Sequence, residues 1–158
     1  CVRLFTVYGP WGRPDMAPFK FTDAILNDRP IDVYGHGNMR RDFTYVDDVV
    51  DALVRLAEVP PQIGRPVAQG DSISPIAPFR TINIAGGQPT ELMAFIQAIE
   101  NAVGKKARIN FMNMQPGDVV ATQSDTALLQ ALMGTIPETD IGTGVARFVQ
   151  WYRSHYAR

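Results

Sequence analysis

The chain carries one cysteine, Cys1, in 158 residues, so it can form no internal disulfide framework and no paired-thiol metal or redox motif. A lone thiol suits a reducing compartment. Charge of neither sign predominates: 15 Lys and Arg stand against 16 Asp and Glu, a net charge of -1, which gives no basic field to draw nucleic acid or an anionic membrane. No stretch approaches the roughly 18 apolar residues of a membrane span, and no basic segment followed by an apolar run and a cleavage site opens the chain. His36 and His155 have no carboxylate or cysteine partners at metal-ligand spacing, so no metal is expected. What these absences leave is a soluble, cytoplasmic chain without nucleic-acid or membrane partners. Its 46% of hydrophobic residues suffices for the core of one domain, residues 1–158.

VRLFTV (residues 2–7) is rich in β-branched and aromatic residues and is cut off by Tyr8-Gly9-Pro10, which predicts a buried strand delivered into a tight loop. A strand already under way at the first residues points to the later part of something longer. FKFTDAIL predicts a short helix beginning near Pro18, and IDVYGHGNMRRDFTY short strands around a glycine turn, with Ile31 and Val33 alternating against Asp32. Val46, Val49, Val50, Leu53, Val54 and Ala57 fall at helical spacing, with Thr44 placed to cap and Asp47 to favour the helix dipole. Residues 59–80 are rich in Pro, Gly and Ser without a sustained period, and are read as an insertion, because the strand run TINIAG follows directly. Thr90 is placed to cap a helix whose stripe is Leu92, Phe95, Ile96, Ile99 and Val103, ended by Gly104. ARINFM predicts a strand, residues 125–133 a short helix, and Val145, Phe148, Val149 and Tyr152 a last amphipathic helix. Strands alternating with helices indicate α/β. So few strands call for partner strands from elsewhere.

Four stretches combine glycine, proline and polar groups beyond the needs of a core. In Thr6 through Arg13 a hydroxyl stands at the carboxyl end of a strand and an Arg on the following loop, where open α/β sheets bind ligands and where a guanidinium takes a carboxylate or phosphate in two hydrogen bonds. The competing reading is a rigid turn with a solvated Arg. Trp11 sits in that loop in a position to cover a ligand. Arg40, Arg41 and Asp42 lie between a glycine turn and a helix start and favour an anion such as pyrophosphate, or else form an Arg41-Asp42 arrangement on the surface. In QPGDV, Asp118 presents a carboxylate suited to vicinal hydroxyls, or is a plain turn residue. NIAGGQPTE pairs Gly86 with Gly87 after a strand but lacks the GxGxxG spacing of a dinucleotide loop. Asp47 and Asp48 are better read as acids of a first helical turn than as a catalytic pair.

Taken in order, FTVYGPWGRPDM, FKFTDAI, PIDVYGHGNMRRDFTYVDD, NIAGGQPTELM, MQPGDVVATQSD and the closing GVARFVQWYR resemble the C-terminal half of nucleotide-sugar epimerases of the extended short-chain dehydrogenase family, and within it the UDP-glucuronate 4-epimerases. Thr6 and the WGRPDM continuation separate this pattern from relatives acting on neutral sugars and from uronate decarboxylases. The resemblance implies the substrate-binding portion of a Rossmann-type enzyme whose dinucleotide-binding portion is absent, with VRLFTV and TINIAG as strands of the Rossmann sheet. It implies Thr6 and Arg13 at the uronate, Arg13 on its carboxylate, Arg41 on the UDP pyrophosphate and Asp118 on the uridine ribose. Val33 and Tyr34 would lie by the uracil, Phe19 and Lys20 in the wall around the substrate. Gln115, where many relatives carry Arg, removes one phosphate contact. The family reaction uses NAD and a Tyr-x-x-x-Lys pair; Tyr8, Tyr34 and Tyr45 lack Lys at the fourth following position. No catalytic residue is therefore assigned, NAD is not expected to bind this chain alone, and the chain alone is expected to be inactive. The alternative is a non-catalytic module that associates with itself or another protein through open strand edges.

Overall fold

The structure, a computed structural model, describes residues 1–134, 136 and 138–156. VRLFTVY forms two short strands, β1 (Val2–Leu4) and β2 (Thr6–Tyr8), broken at Phe5. β2 ends in the turn at Gly9-Pro10, and α1 (Ala17–Leu26) follows with Pro18 in its first turn. Next come β3 (Ile31–Val33), a 3-10 turn (Tyr34–Gly37), β4 (Arg40–Arg41), β5 (Phe43–Tyr45) and α2 (Val46–Ala57). No regular element lies between Ala57 and Ile82; then follow β6 (Ile82–Ile84), β7 (Thr90–Glu91), α3 (Leu92–Val103), β8 (Ile109–Phe111), α4 (Ala127–Met133) and α5 (Ile141–Tyr156).

The strands pair across long sequence distances, β1 with β6, β2 with β5 and β3 with β8, all parallel, while β4 runs antiparallel to β7. Among the described residues these are four two-stranded pairings, and the parallel ones are joined by long crossover connections. α3 packs on α1 and α5. Between these helices and β2 and β5 lies an aromatic core in which Phe43 stacks on Phe95 at 4.1 Å and Tyr8 meets Phe95 edge-on at 5.5 Å. α5 comes close enough to this core that a methyl group at Gly144 would overlap the Tyr8 hydroxyl and lie 3.1 Å from Tyr45 Cδ2. A smaller cluster of Val49, Ala52, Ile82, Ile84 and Leu129 joins α2, β6 and α4.

Three local expectations change. β1 is not a buried strand: Val2 is 38% and Leu4 49% exposed, because β1 pairs with β6 alone among the described residues. Thr44 does not cap α2; it lies in β5, and its hydroxyl accepts from Gly86 N at 3.3 Å, leaving Tyr45 at the cap position. Thr90 is drawn into β7 opposite Arg41, so Glu91 precedes α3. Strand pairing outcompetes capping at both threonines.

The 59–80 stretch is irregular but internally bonded. Arg80 donates to both carboxylate oxygens of Asp71 at 2.8 and 2.9 Å, with both side chains buried, and Asp71 also accepts from Val67 N and Ile73 N. Arg80 O in turn accepts from the Cys1 amino group at 2.8 Å, tying the stretch to β1.

Candidate functional site

The start of β2, the first turn of α1, the turn after β3, the end of β4 and the segment after β8 converge; Thr6 thus opens β2 rather than standing at a strand's carboxyl end. There, a cleft of about 240 Å³ has Thr6, Tyr34, Arg41 and Asp118 in its wall and Phe21, Met39, Phe43 and Leu92 among its apolar lining. A neighbouring depression of about 430 Å³ shares Ala17, Phe21, Asp32 and Tyr34 with it and adds Lys20 and Arg29. Four candidates from separate parts of the sequence thus meet at one place. Arg41 Nη1 donates to Arg40 O at 2.9 Å and Val120 O at 3.3 Å, which orients the guanidinium, and no carboxylate pairs with it among the described residues. An oriented cation without an acid partner, beside hydroxyls, carboxylates and an aromatic floor, suits a phosphorylated ligand with a ring to stack. Asp118 stands on the turn closed by its own N–H donating to Gln115 O at 3.1 Å.

The other candidates lie elsewhere. Val33 is fully buried in the core, and its carbonyl accepts from Met112 N, just past β8, at 2.9 Å. Phe19 packs edge-on against Tyr152 and Tyr156 at 5.0 and 5.2 Å. Lys20 lines the neighbouring depression. Arg13 is exposed and pairs with Asp15, its Nε donating at 3.0 Å; the hydrogen bond to Asp15 raises the Arg13 pKa and holds the Asp15 carboxyl below its usual range. Trp11 does not cover the cleft: its ring meets His155 at 4.6 Å and Trp151 at 5.4 Å on α5.

The residue least visible in advance is Asp42. It is fully buried rather than part of a surface arrangement, and its carboxylate accepts from Gly87 N at 3.1 and 3.2 Å and Ser124 N at 2.9 Å. The Gly86-Gly87 amides are thereby engaged by Thr44 and Asp42. A carboxylate already occupies the position a phosphate would need, so this loop does not fit a dinucleotide. Tyr8 offers no base: burial above all, then the charges of Asp48 and Asp140, pushes its phenol well above the ordinary value, and the ring sits in the core. Asp48 itself accepts from Thr139 N at 2.8 Å and Thr139 Oγ1 at 2.7 Å, a bridging role that its place in the first turn of α2 did not disclose. No group of acids, His or Cys suited to a metal occurs among the described residues, and no helix among them is long and apolar enough to cross a membrane.

Residues 1–68 match the family model described as the NAD dependent epimerase/dehydratase family. The chain is 55% identical over 159 aligned residues to a probable UDP-glucuronate 4-epimerase of Rhizobium meliloti (strain 1021), covering 99% of this chain and 47% of that protein. Nearly the whole of this chain is thus similar to one portion of that protein. UDP-glucuronate 4-epimerase 1 of Arabidopsis thaliana is 38% identical, with 98% of this chain and 36% of that protein covered. Among solved structures, the UDP-glucuronic acid 4-epimerase of Bacillus cereus in complex with UDP-glucuronic acid and NAD superposes with a TM-score of 0.80 at 29% identity, over 98% of this chain and 45% of that one. The chain thus spans about half the length, or less, of the curated relatives it matches, and its fold matches part of that Rossmann-type structure.

Proposed function

We propose that this chain supplies the nucleotide-sugar-binding half of an NAD-dependent epimerase that interconverts UDP-glucuronate and UDP-galacturonate at C4. The observation that carries the reading is the meeting of Thr6, Tyr34, Arg41 and Asp118, from four separate segments, in one cleft. In it, Arg41 neutralises the pyrophosphate, Asp118 accepts from the ribose hydroxyls and Tyr34 flanks the uracil, with Val33 holding Tyr34 from the core. Thr6 donates to the uronate, and Arg13 exchanges Asp15 for the sugar carboxylate. Lys20 closes the wall, and Phe19 backs α1 against α5. These groups bind and orient; none is assigned a hydride or proton transfer, since the chain offers no Tyr-x-x-x-Lys pair. NAD, named with the Bacillus cereus enzyme, belongs on this reading to residues outside this chain.

The test is calorimetric titration of the chain with UDP-glucuronate, UDP-glucose and UDP. UDP-glucuronate should bind more tightly than UDP-glucose, Arg41→Ala should weaken all three ligands about tenfold or more, in line with loss of a charge-assisted contact, and Arg13→Ala should erase the preference. The chain alone should convert no UDP-glucuronate. Equal affinity for both sugars in the unaltered chain sinks the uronate reading.

A second reading, a module that associates with itself or another protein, draws support from exposed Val2 and Leu4 on β1 and Val50, Leu53 and Val54 on α2. Sedimentation showing a concentration-dependent dimer without UDP-sugar affinity would favour it.

A further inference from the structure

The loop from Gly9 to Met16 carries Arg13 but little that fixes it. It leaves β2 at Gly9, whose φ of +141° is open to glycine and whose missing side chain makes room for Val46, 2.5 Å from where a Cβ would stand. Within the loop, Gly12 N donates to Gly9 O at 3.1 Å and Met16 N to Arg13 O at 3.2 Å. Among the described residues the Arg13 side chain makes its hydrogen bonds only to Asp15, inside the same loop. Its position therefore follows the loop's, whose side chains meet the body at Met16 in the cleft and, on the side of α5, at Trp11. That residue is 75% exposed yet sits at φ +63°, a left-handed backbone that a bulky side chain adopts only where its surroundings hold it.

What holds it is the end of α5. The Trp11 ring stands edge-on to His155 at 4.6 Å and tilted over Trp151 at 5.4 Å. His155 is braced by Ser154, Oγ to Nδ1 3.2 Å, and Trp151 packs back on Phe148 of the core at 5.7 Å. A chain of rings thus runs from the buried core through α5 to the loop, spanning 144 sequence positions between Trp11 and His155.

We propose that Trp11, docked on Trp151 and His155, is a positioning residue that sets Arg13 for a carboxylate-bearing sugar, so that the C-terminal helix helps to fix substrate selectivity. The proposal rests on the nucleotide-sugar reading given above. Without the dock, the loop must be ordered at the moment of binding, and that entropy is charged only to ligands that use Arg13.

Calorimetry on the full chain tests it, with UDP, UDP-glucose and UDP-glucuronate as probes and with Trp11→Ala, Trp11→Phe and His155→Ala as variants. Trp11 is exposed, so its removal leaves the core intact, and matching thermal unfolding curves check this. The preference for UDP-glucuronate over UDP-glucose should fall about two- to tenfold in Trp11→Ala, the range that aromatic contacts of this kind carry. It should fall less in His155→Ala and return in Trp11→Phe, with affinity for UDP unchanged throughout. An unchanged preference in Trp11→Ala, or an equal loss for UDP and UDP-glucuronate, overturns the positioning role while leaving the nucleotide-sugar reading in place. If the unaltered chain shows no preference for UDP-glucuronate, the uronate reading itself falls and the positioning role with it.

Discussion

Asp42 should be the costliest charged side chain to alter near the cleft. Its carboxylate is fully buried, and two backbone amides, those of Gly87 and Ser124, donate to it. Hydrogen bonds to a charged acceptor are worth about 1.5–3 kcal/mol each, so removing both in Asp42→Ala, with the two amides left buried and unmet, should destabilise the fold by about 3–5 kcal/mol. Asp42→Asn separates charge from shape. With its carbonyl oxygen in the position of Oδ2 it keeps Gly87 N at 3.2 Å and Ser124 N at 2.9 Å, but its amide group then faces Gly87 N at 3.1 Å, donor against donor. The loss should be about 1–3 kcal/mol. Urea unfolding followed by circular dichroism measures both, and hydrogen exchange reads the Gly87 and Ser124 amides individually; both should lose protection in the alanine variant. An alanine variant within about 0.5 kcal/mol of the unaltered chain, or an unchanged Gly87 exchange rate, refutes the carboxylate clamp.

Four further outcomes rest on the packing. Arg80→Ala leaves the Asp71 carboxylate buried and unpaired and should cost about 3–5 kcal/mol, seen as a lowered urea midpoint. Burial alone would raise the Asp71 pKa, but the Arg80 guanidinium and the Val67 and Ile73 amides outweigh it and hold the carboxyl below its usual range; its stabilisation is therefore present above about pH 4 and lost as pH falls through the lowered value, a loss that acid titration of Asp71→Asn should show reduced. Gly144→Ala drives a methyl into the Tyr8 hydroxyl and should cost about 1–3 kcal/mol by displacing α5, measurable by thermal unfolding. The Tyr152 phenol, pushed up to about 12 by burial and then by its hydrogen bond to Asp23, favours the fold below its ordinary range near pH 10 and loses that contribution as pH rises toward 12; Tyr152→Phe should flatten the alkaline limb of a stability profile between these values.

The elements set by local spacing were legible. The stripe from Leu92 to Val103 and its stop at Gly104, the first-turn proline of α1 and the last amphipathic helix all stand where the pattern put them, because a helix satisfies its backbone within itself. Residues whose fate depends on distant partners were not legible. Thr44 and Thr90 have the chemistry of caps, yet each lies in a strand whose partner is far away in sequence, Val7 for Thr44 and Arg41 for Thr90. VRLFTV reads as buried, but burial of a strand depends on neighbours that its own letters do not contain. Trp11 shows the same limit at the candidate site: its type and loop suggested a cover over the ligand, whereas the rings that receive it come from α5, at the other end of the sequence.

The triplet Arg40-Arg41-Asp42 shows why the site was only half readable. β4 ends at Arg41 and β5 begins at Phe43, so the backbone breaks at Asp42 and three adjacent charges go three ways. Arg40 turns outward to Glu91 at 3.5 Å, Arg41 faces the cleft, and Asp42 turns inward to the Gly87 and Ser124 amides. Asp42 O also accepts from Thr6 N at 3.2 Å, and Thr122 Oγ1 lies 3.3 Å from Asp42 N. One buried residue therefore joins Thr6, Arg41 and the segment that follows Asp118. The two charges should come apart under substitution: Arg41→Ala should weaken nucleotide binding with little change in the unfolding midpoint, while Asp42→Asn should lower the midpoint first and weaken binding only as the cleft loosens. A variant pair in which Arg41→Ala unfolds the chain and Asp42→Asn does not would reverse the roles assigned here and make Arg41 the structural member of the triplet.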